Sequence, residues 1–104
     1  MRGDNFLAAQ KDAIDRIRRA TGGRADILVL TTCPSLDNAA TYAELADACR
    51  RAAADRKAGL ADVFAAVQAL NTAQRTAFFA WDKVHLAPPG QTLVADTVVR
   101  ALAP

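Results

Sequence analysis

Apolar residues recur along the chain at two spacings, which predict helices alternating with strands. Residues 5–21 follow helical spacing through Phe6, Ala9, Ala13, Ile14 and Ile17. Asp4 or Asn5 is expected to cap this helix, and the Gly22-Gly23 pair to end it. Residues 27–31 form a short aliphatic run without alternation. Such a run is typical of a strand that is covered on both faces in a parallel sheet.

The pattern after residue 38 predicts a second helix and a second strand. Thr41 and Glu44 fit the S/T-x-x-E capping box, so the helix is expected to begin there. Gly59 is expected to supply the left-handed residue after its end. Residues 60–64 then form a candidate strand. The apolar stripe of this second helix comprises Tyr42, Leu45, Ala46, Cys49 and Ala53.

The last third of the chain has a less regular pattern until its end. Residues 65–72 predict one or two further helical turns, and residues 72–89 predict an irregular stretch. A terminal helix is expected from about Pro88 to Leu102, because proline is tolerated in a first turn. Its expected buried face comprises Leu93, Val94, Val98, Ala101 and Leu102. Phe78, Phe79 and Trp81 are expected to anchor the irregular stretch to apolar surroundings.

This order of elements predicts an α/β chain with parallel strands and right-handed crossovers. Two strands make a poor sheet, because both keep an unpaired edge. The 104 residues suit one domain, yet 25 of them are alanine, so large apolar side chains are scarce. We therefore expect residues 1–104 to form a single, partial domain whose sheet is incomplete.

Charge and hydropathy exclude several classes of function. A net charge of +2 is too small to predict binding to nucleic acid. No apolar run approaches a membrane span, so none is expected. The first residues carry acid where a secretory signal has its apolar stretch, so we expect no export signal in this chain and leave localisation open. Charge pairs at helical spacing, including Asp12 with Arg16 and Asp15 with Arg19, predict solvated helix faces.

Candidate chemistry is concentrated just before the terminal helix, around the chain's one histidine, His85. Asp82 lies three residues earlier, and in a turn its carboxylate can accept the Nδ1–H of the imidazole. That bond would fix the tautomer and leave Nε2 able to act as a base. The spacing alone is common, and a surface histidine near an aspartate is the plainer interpretation.

The whole segment, Asp-x-Val-His-Leu-x-Pro-x-Gly at 82–90, resembles the last sequence block of the SGNH (GDSL-type) serine hydrolases. Residues 27–32 resemble that family's fourth strand, residues 42–48 its next helix and residues 60–64 its last strand. The resemblance implies part of a flavodoxin-like three-layer α/β/α fold and hydrolysis of small carboxylic esters. It also implies that His85 is the general base and acid, that Asp82 orients it, and that no cofactor is needed.

The sequence departs from this family in its nucleophile. The family uses a serine in an N-terminal Gly-Asp-Ser block, whereas the one serine here, Ser35, lies in Cys-Pro-Ser-Leu after the first strand. We assign no nucleophile to Ser35. Cys33 is a conceivable substitute, although a small buried hydrophobe is the plainer interpretation. This chain alone is therefore expected to be inactive or weakly active.

Two alternatives stay open at this point. The chain can be a non-catalytic α/β interaction module whose strand edges recruit a partner chain. A weaker hypothesis is that His85 and Asp82 hold a metal ion, although the cysteines lack the spacing of a structural zinc site. A disulfide between Cys33 and Cys49 is open too, with two free thiols favoured.

Overall fold

The computed structural model describes residues 2–31, 39–80 and 85–102. In this part the chain is helix-rich α/β, and the strands β1 (Leu28–Leu30) and β2 (Gly59–Ala61) form a two-stranded parallel sheet. Leu28 pairs with Gly59, Val29 with Leu60 and Leu30 with Ala61. The predictions of α/β class and parallel pairing are confirmed. The elements are α1 (Arg2–Ala20), β1 (Leu28–Leu30), α2 (Ala39–Asp55), β2 (Gly59–Ala61), α3 (Val63–Gln68), α4 (Thr72–Phe78) and α5 (Pro88–Leu102).

Helices α1 and α2 lie side by side and run in the same direction. Near their starts, the Gly3 N–H of α1 donates to Glu44 Oε1 of α2 at 2.7 Å. Near their ends, Arg56 donates through Nε and Nη2 to the two carboxylate oxygens of Asp15 at 2.9 and 3.2 Å. Together with the sheet face that they cover, we call these helices the ion-paired layer. Its buried side chains are Leu7, Ile14, Val29, Ala48, Cys49, Ala52 and Ala53.

Helices α3, α4 and α5 form a second packed region, which we call the aromatic cluster. The rings of Phe78 and Phe79 meet edge to face, with centroids 5.0 Å apart and planes at 68°. Helix α5 packs against α3, α4 and β2. The buried members are Val63, Val67, Phe78 and Phe79, and the half-buried ones are Leu70, Leu86, Leu93 and Val94. The expectation that Phe78 and Phe79 anchor this stretch is confirmed, and Trp81 lies outside the described residues.

The buried face of α1 differs from the predicted one. Leu7 and Ile14 are buried, whereas Ala9 and Ala13 are exposed and Ile17 is 44% exposed. The helix also begins at Arg2, before the expected caps at Asp4 and Asn5. The face that contacts α2 includes polar residues, so apolar spacing alone placed the stripe too far round the helix. The predicted stop is confirmed, since Gly22 and Gly23 have φ values of 61° and 77°.

Helix α2 also differs at both ends. It begins at Ala39, and the Glu44 carboxylate binds the Gly3 N–H instead of closing a capping box with Thr41. It ends at Asp55, and Lys57 takes the left-handed conformation with φ 53°. Gly59 instead begins β2, where a Cβ would lie 3.1 Å from Leu28 Cδ1. The predicted stripe of α2 is confirmed, because its five residues are buried or half-buried.

Two local caps explain the remaining differences. The predicted strand at 60–64 is wrong beyond Ala61, because the Asp62 side chain accepts the Ala65 N–H and starts α3. Residues 72–78 are helical rather than irregular, because Asn71 and Gln74 form a reciprocal capping box. The helical turns predicted at 65–72 are confirmed in part, because α3 covers Val63–Gln68. Neither cap depends on apolar periodicity, which is why the periodicity missed the start of α3 and the whole of α4.

Several apolar side chains that the sequence predicts to be covered are exposed. Leu30 is 42% exposed, so β1 is not covered on both faces. On α5, Leu93, Val94 and Val98 are half-buried, whereas Ala101 is exposed and Leu102 is 67% exposed. Among the described residues, no helix is long and apolar enough to cross a membrane.

Candidate functional site

His85 lies in an exposed position at the start of the segment that leads into α5. Leu86, the next residue, forms an antiparallel bridge with Phe79. On one side of that bridge the Ala80 N–H donates to the His85 carbonyl at 2.6 Å, and on the other the Ala87 N–H donates to the Phe78 carbonyl at 2.9 Å. The backbone at His85 is therefore held by the aromatic cluster while the residue itself faces solvent.

Gly90 fixes how closely the first turn of α5 approaches this bridge. It is buried, and a Cβ on Gly90 would overlap the carbonyl oxygen of Phe78. That same oxygen accepts the Ala87 N–H. The glycine of the 82–90 segment thus has a steric role, because only a residue without a side chain lets α5 meet Phe78 at this distance.

The second predicted catalytic residue, Asp82, lies outside the described residues. Its pairing with His85 therefore stays a prediction, as does a metal site made by the two. Ser35 and Cys33 also lie outside the described ranges. Within those ranges, no group of three or more His, Cys, Asp or Glu side chains is placed to hold a metal ion.

A polar cluster that the sequence did not predict lies at the carboxyl ends of both strands. Thr31 follows β1 and Asp62 follows β2, and the Thr31 hydroxyl donates to Asp62 Oδ1 at 3.0 Å. Arg50, from α2, donates to both oxygens of Asp62 at 2.8 and 3.1 Å. The Phe64 N–H in turn donates to Thr31 Oγ1 at 2.8 Å. This Thr31–Asp62–Arg50 cluster joins both strand ends to α2 and α3.

Charge and hydrogen bonding keep the cluster ionised. The hydrogen bond from Arg50 lowers the pKa of the Asp62 carboxyl, and the bonds from the Ala65 N–H and Thr31 add to this against the opposing effect of burial. The same pair raises the pKa of Arg50 further above its ordinary range. Because Asp62 accepts four hydrogen bonds, it is suited to holding the strand ends together and unsuited to donating a proton.

Cys49 is a buried free thiol beside this cluster. Burial raises its pKa, Arg50 lowers it and Asp62 raises it again. A thiol with a raised pKa is a poor nucleophile at neutral pH. Its role in the described structure is to fill space in the ion-paired layer, next to Ile14 and Ala53.

The sequence does contain a signal for part of the cluster. Asp62 directly precedes an apolar run with helical spacing, which is the position of a helix N-cap. Treating residues 60–64 as one strand concealed that cap.

The chain matches no family model, no curated protein and no solved structure.

Proposed function

We propose that this chain is the histidine-bearing part of an SGNH-like serine ester hydrolase. The observation that carries the proposal is the placement of His85, which is exposed to solvent on a backbone bridge held by Phe78 and Phe79, immediately before α5. An exposed histidine whose backbone is held by hydrogen bonds meets one requirement of a general base, which is access to a substrate. The 82–90 motif supports the same assignment.

In this proposal β1 and β2 belong to a larger parallel sheet in a flavodoxin-like three-layer α/β/α fold. The remaining strands, the serine and the oxyanion hole come from another segment or chain. The exposed side chain of Leu30, on a strand whose sequence suits a covered position, supports this arrangement. The Thr31–Asp62–Arg50 cluster would keep the carboxyl ends of the two strands in register.

The proposed reaction begins with transfer of the acyl group to the serine. His85 takes the proton of the serine hydroxyl as the serine oxygen attacks the ester carbonyl, and then gives that proton to the departing alcohol. Water releases the acyl group as a carboxylic acid by the same sequence of proton transfers, with His85 again as base. Asp82 orients the imidazole. The substrate is a small ester, and no cofactor takes part.

The test is to produce this chain together with the polypeptide encoded beside it and to measure hydrolysis of p-nitrophenyl acetate. We expect His85→Ala to lower kcat by at least about 100-fold, since positioned general bases contribute that much. Asp82→Asn is expected to lower kcat less. Gln91→Ala is the matched control, because it removes the bond from Gln91 to the Leu86 carbonyl and leaves the imidazole in place.

Two results would contradict the proposal. Equal turnover by the His85→Ala and parent proteins would remove His85 from the mechanism. A coding region beside this chain without any Gly-Asp-Ser segment would count heavily against a separate serine-bearing half.

A second candidate function is a non-catalytic interaction module that pairs with a partner chain. The observation that favours it is the sheet itself, since within the described residues β1 and β2 each have a strand neighbour on one side and none on the other. Sedimentation equilibrium of the pure chain separates the alternatives. A stable monomer that captures no strand from a partner peptide would contradict the interaction module.

A further inference from the structure

A cavity of about 300 Å³ lies between α4 and α5, on the aromatic cluster. Its apolar walls include Leu70, Ala77, Phe78 and Leu93. Phe78 is 1% exposed and Leu93 is half-buried, so packing holds these two walls in place. This volume is at the lower end of the range for small-molecule sites and suits a compact ligand.

Three polar side chains also line the cavity, and each offers a different group to a ligand. Gln74 Oε1 accepts the Asn71 N–H at 2.9 Å, so the group that Gln74 can offer is its Nε2 amide. Thr92 offers a hydroxyl, and Asp96 offers a carboxylate one turn further along α5. An apolar floor with a few polar groups at its rim is the usual composition of a ligand site.

Asp96 is the one charged side chain among the lining residues. It forms no ion pair or hydrogen bond with any residue that the structure describes. The cation on α4, Arg75, is directed elsewhere, with its Nε donating to the Leu70 carbonyl at 3.1 Å. Arg100 lies four residues further along α5, outside the lining, and forms no ion pair with Asp96. The cavity therefore combines apolar walls with one carboxylate that has no ion-pair partner among the described residues.

We infer that this cavity binds a small organic cation with an apolar body, such as a primary alkylammonium. The alkyl part lies against Leu70, Ala77 and Leu93, and the ammonium meets the Asp96 carboxylate. Thr92 and Gln74 add polar contacts at the rim. This site is separate from the proposed ester hydrolysis and does not depend on it.

The experiment follows the ¹⁵N and methyl NMR signals of the full chain during titration with n-hexylammonium. Hexanol and hexanoate are the matched neutral and anionic probes of the same length. We expect saturable shifts at Ala77, Thr92 and Leu93, and binding about three to five times tighter for hexylammonium than for hexanol, as for one partly exposed charge contact. Hexanoate should bind least, and added salt should narrow the differences.

Three variants localise the effect. Asp96→Asn should make hexylammonium and hexanol bind alike. Ala77→Leu should abolish binding of every probe by filling the cavity, and it changes an exposed helical position where leucine is well tolerated. Asp26→Asn, which removes an exposed carboxylate elsewhere, should change nothing.

The proposal is overturned by any of three results. These are the absence of saturable shifts at the cavity, equal affinity for hexylammonium and hexanoate, and unchanged hexylammonium binding in Ala77→Leu. The folded spectrum of each variant away from α4 and α5 shows directly whether a loss of binding reflects the site or the fold.

Discussion

The ion-paired layer and the aromatic cluster are held together by different interactions. In the ion-paired layer the buried side chains are mostly small, and several alanines are 0–2% exposed. The contact between α1 and α2 is completed by charged side chains, including Lys11 with Asp55 at 2.6 Å and Arg56 with Asp15 at 2.9 Å. In the aromatic cluster a few large side chains fill the interior, and of the four salt bridges in the described structure only Arg50–Asp62 reaches this region, at the N-cap of α3.

Because of this difference, the two regions depend on single residues to different degrees. Several polar contacts join α1 and α2, and each of them is weak. We therefore expect the loss of any one contact to lower the free energy of unfolding only slightly. The aromatic cluster depends on Phe78, whose side chain packs the interior and whose carbonyl meets both Ala87 and Gly90. Because the backbone of His85 is held by the same bridge, the candidate site depends on the region with fewer independent supports.

Removing the Phe78 ring should have the largest effect. We expect Phe78→Ala to lower the free energy of unfolding by about 3–5 kcal/mol, from lost burial and the cavity that remains. Phe6→Ala is the matched change in the ion-paired layer, where Phe6 is half-buried, and it should cost clearly less. Urea unfolding followed by circular dichroism measures both. Equal decreases in the free energy of unfolding would contradict the contrast between the two regions. Phe78→Leu replaces the alanine variant in this comparison if Phe78→Ala does not fold.

A methyl group at Gly90 should have the next largest effect. We expect Gly90→Ala to lower the free energy of unfolding by about 1–3 kcal/mol, because the Phe78 carbonyl is backbone and cannot move aside easily. Gly3→Ala makes the matched change in the ion-paired layer, where the methyl group meets the flexible end of Glu44. It should cost less. Thermal unfolding compares them, and backbone NMR shifts at His85 and Ala87 should move only in Gly90→Ala.

Breaking the Thr31–Asp62–Arg50 cluster should show in the pH dependence of stability. The folded-state pKa of Asp62 is lowered, so the unfolded chain takes up this proton first as pH falls. The stabilisation from Asp62 is full above its unfolded pKa of about 4. It is lost as pH falls through the folded value.

Asp62→Asn tests this directly. Asparagine can still cap α3, but it cannot form the ion pair with Arg50, so we expect a cost of about 1–2 kcal/mol at neutral pH. The decline of stability below pH 4 should become shallower in this variant. Urea unfolding at several pH values measures this dependence. If the free energy of unfolding falls with pH identically in the two proteins, Asp62 does not contribute to the acid sensitivity.

A single ion pair between α1 and α2 should matter least. The Asp15 and Arg56 side chains are about one-third exposed, at 37% and 34%. We expect a coupling of about 0.5–1 kcal/mol in a double-mutant cycle with Asp15→Asn and Arg56→Gln, decreasing with added salt. The more exposed Asp12–Arg16 pair is the reference, and we expect its coupling energy to be smaller. A coupling above about 2 kcal/mol would show that this layer too depends on single contacts.

Apolar periodicity succeeded where a helix meets its surroundings through apolar side chains. The stripe of α2 was predictable for that reason. The start of α5 was predictable from proline in its first turn. Periodicity failed for α1, whose contact with α2 includes Lys11 and Asp15. The spacing of Asp15 predicted a pair with Arg19 on the same helix, whereas Asp15 binds Arg56. The Asp12–Arg16 pair is confirmed, with 2.9 Å between Arg16 Nε and the Asp12 carboxylate.

The candidate site shows the same limit. The sequence pointed to His85 because a lone histidine before a helix is visible in a motif. It could not show that the Phe78 carbonyl meets Gly90, since that contact joins residues on two different helices. It also could not join Thr31 to Arg50 through Asp62, because Asp62 binds residues that lie 31 and 12 positions away along the chain.

The α/β class, the parallel strands, the stop at Gly22-Gly23 and the terminal helix could all be predicted, because they follow from local spacing and backbone preference. Which helix each carboxylate caps depends instead on tertiary packing. Glu44 caps α1 rather than α2, and Asp62 ends a strand by starting a helix. A carboxylate can accept from any donor within reach, so its partner is fixed only when packing brings a distant donor closer than a local one.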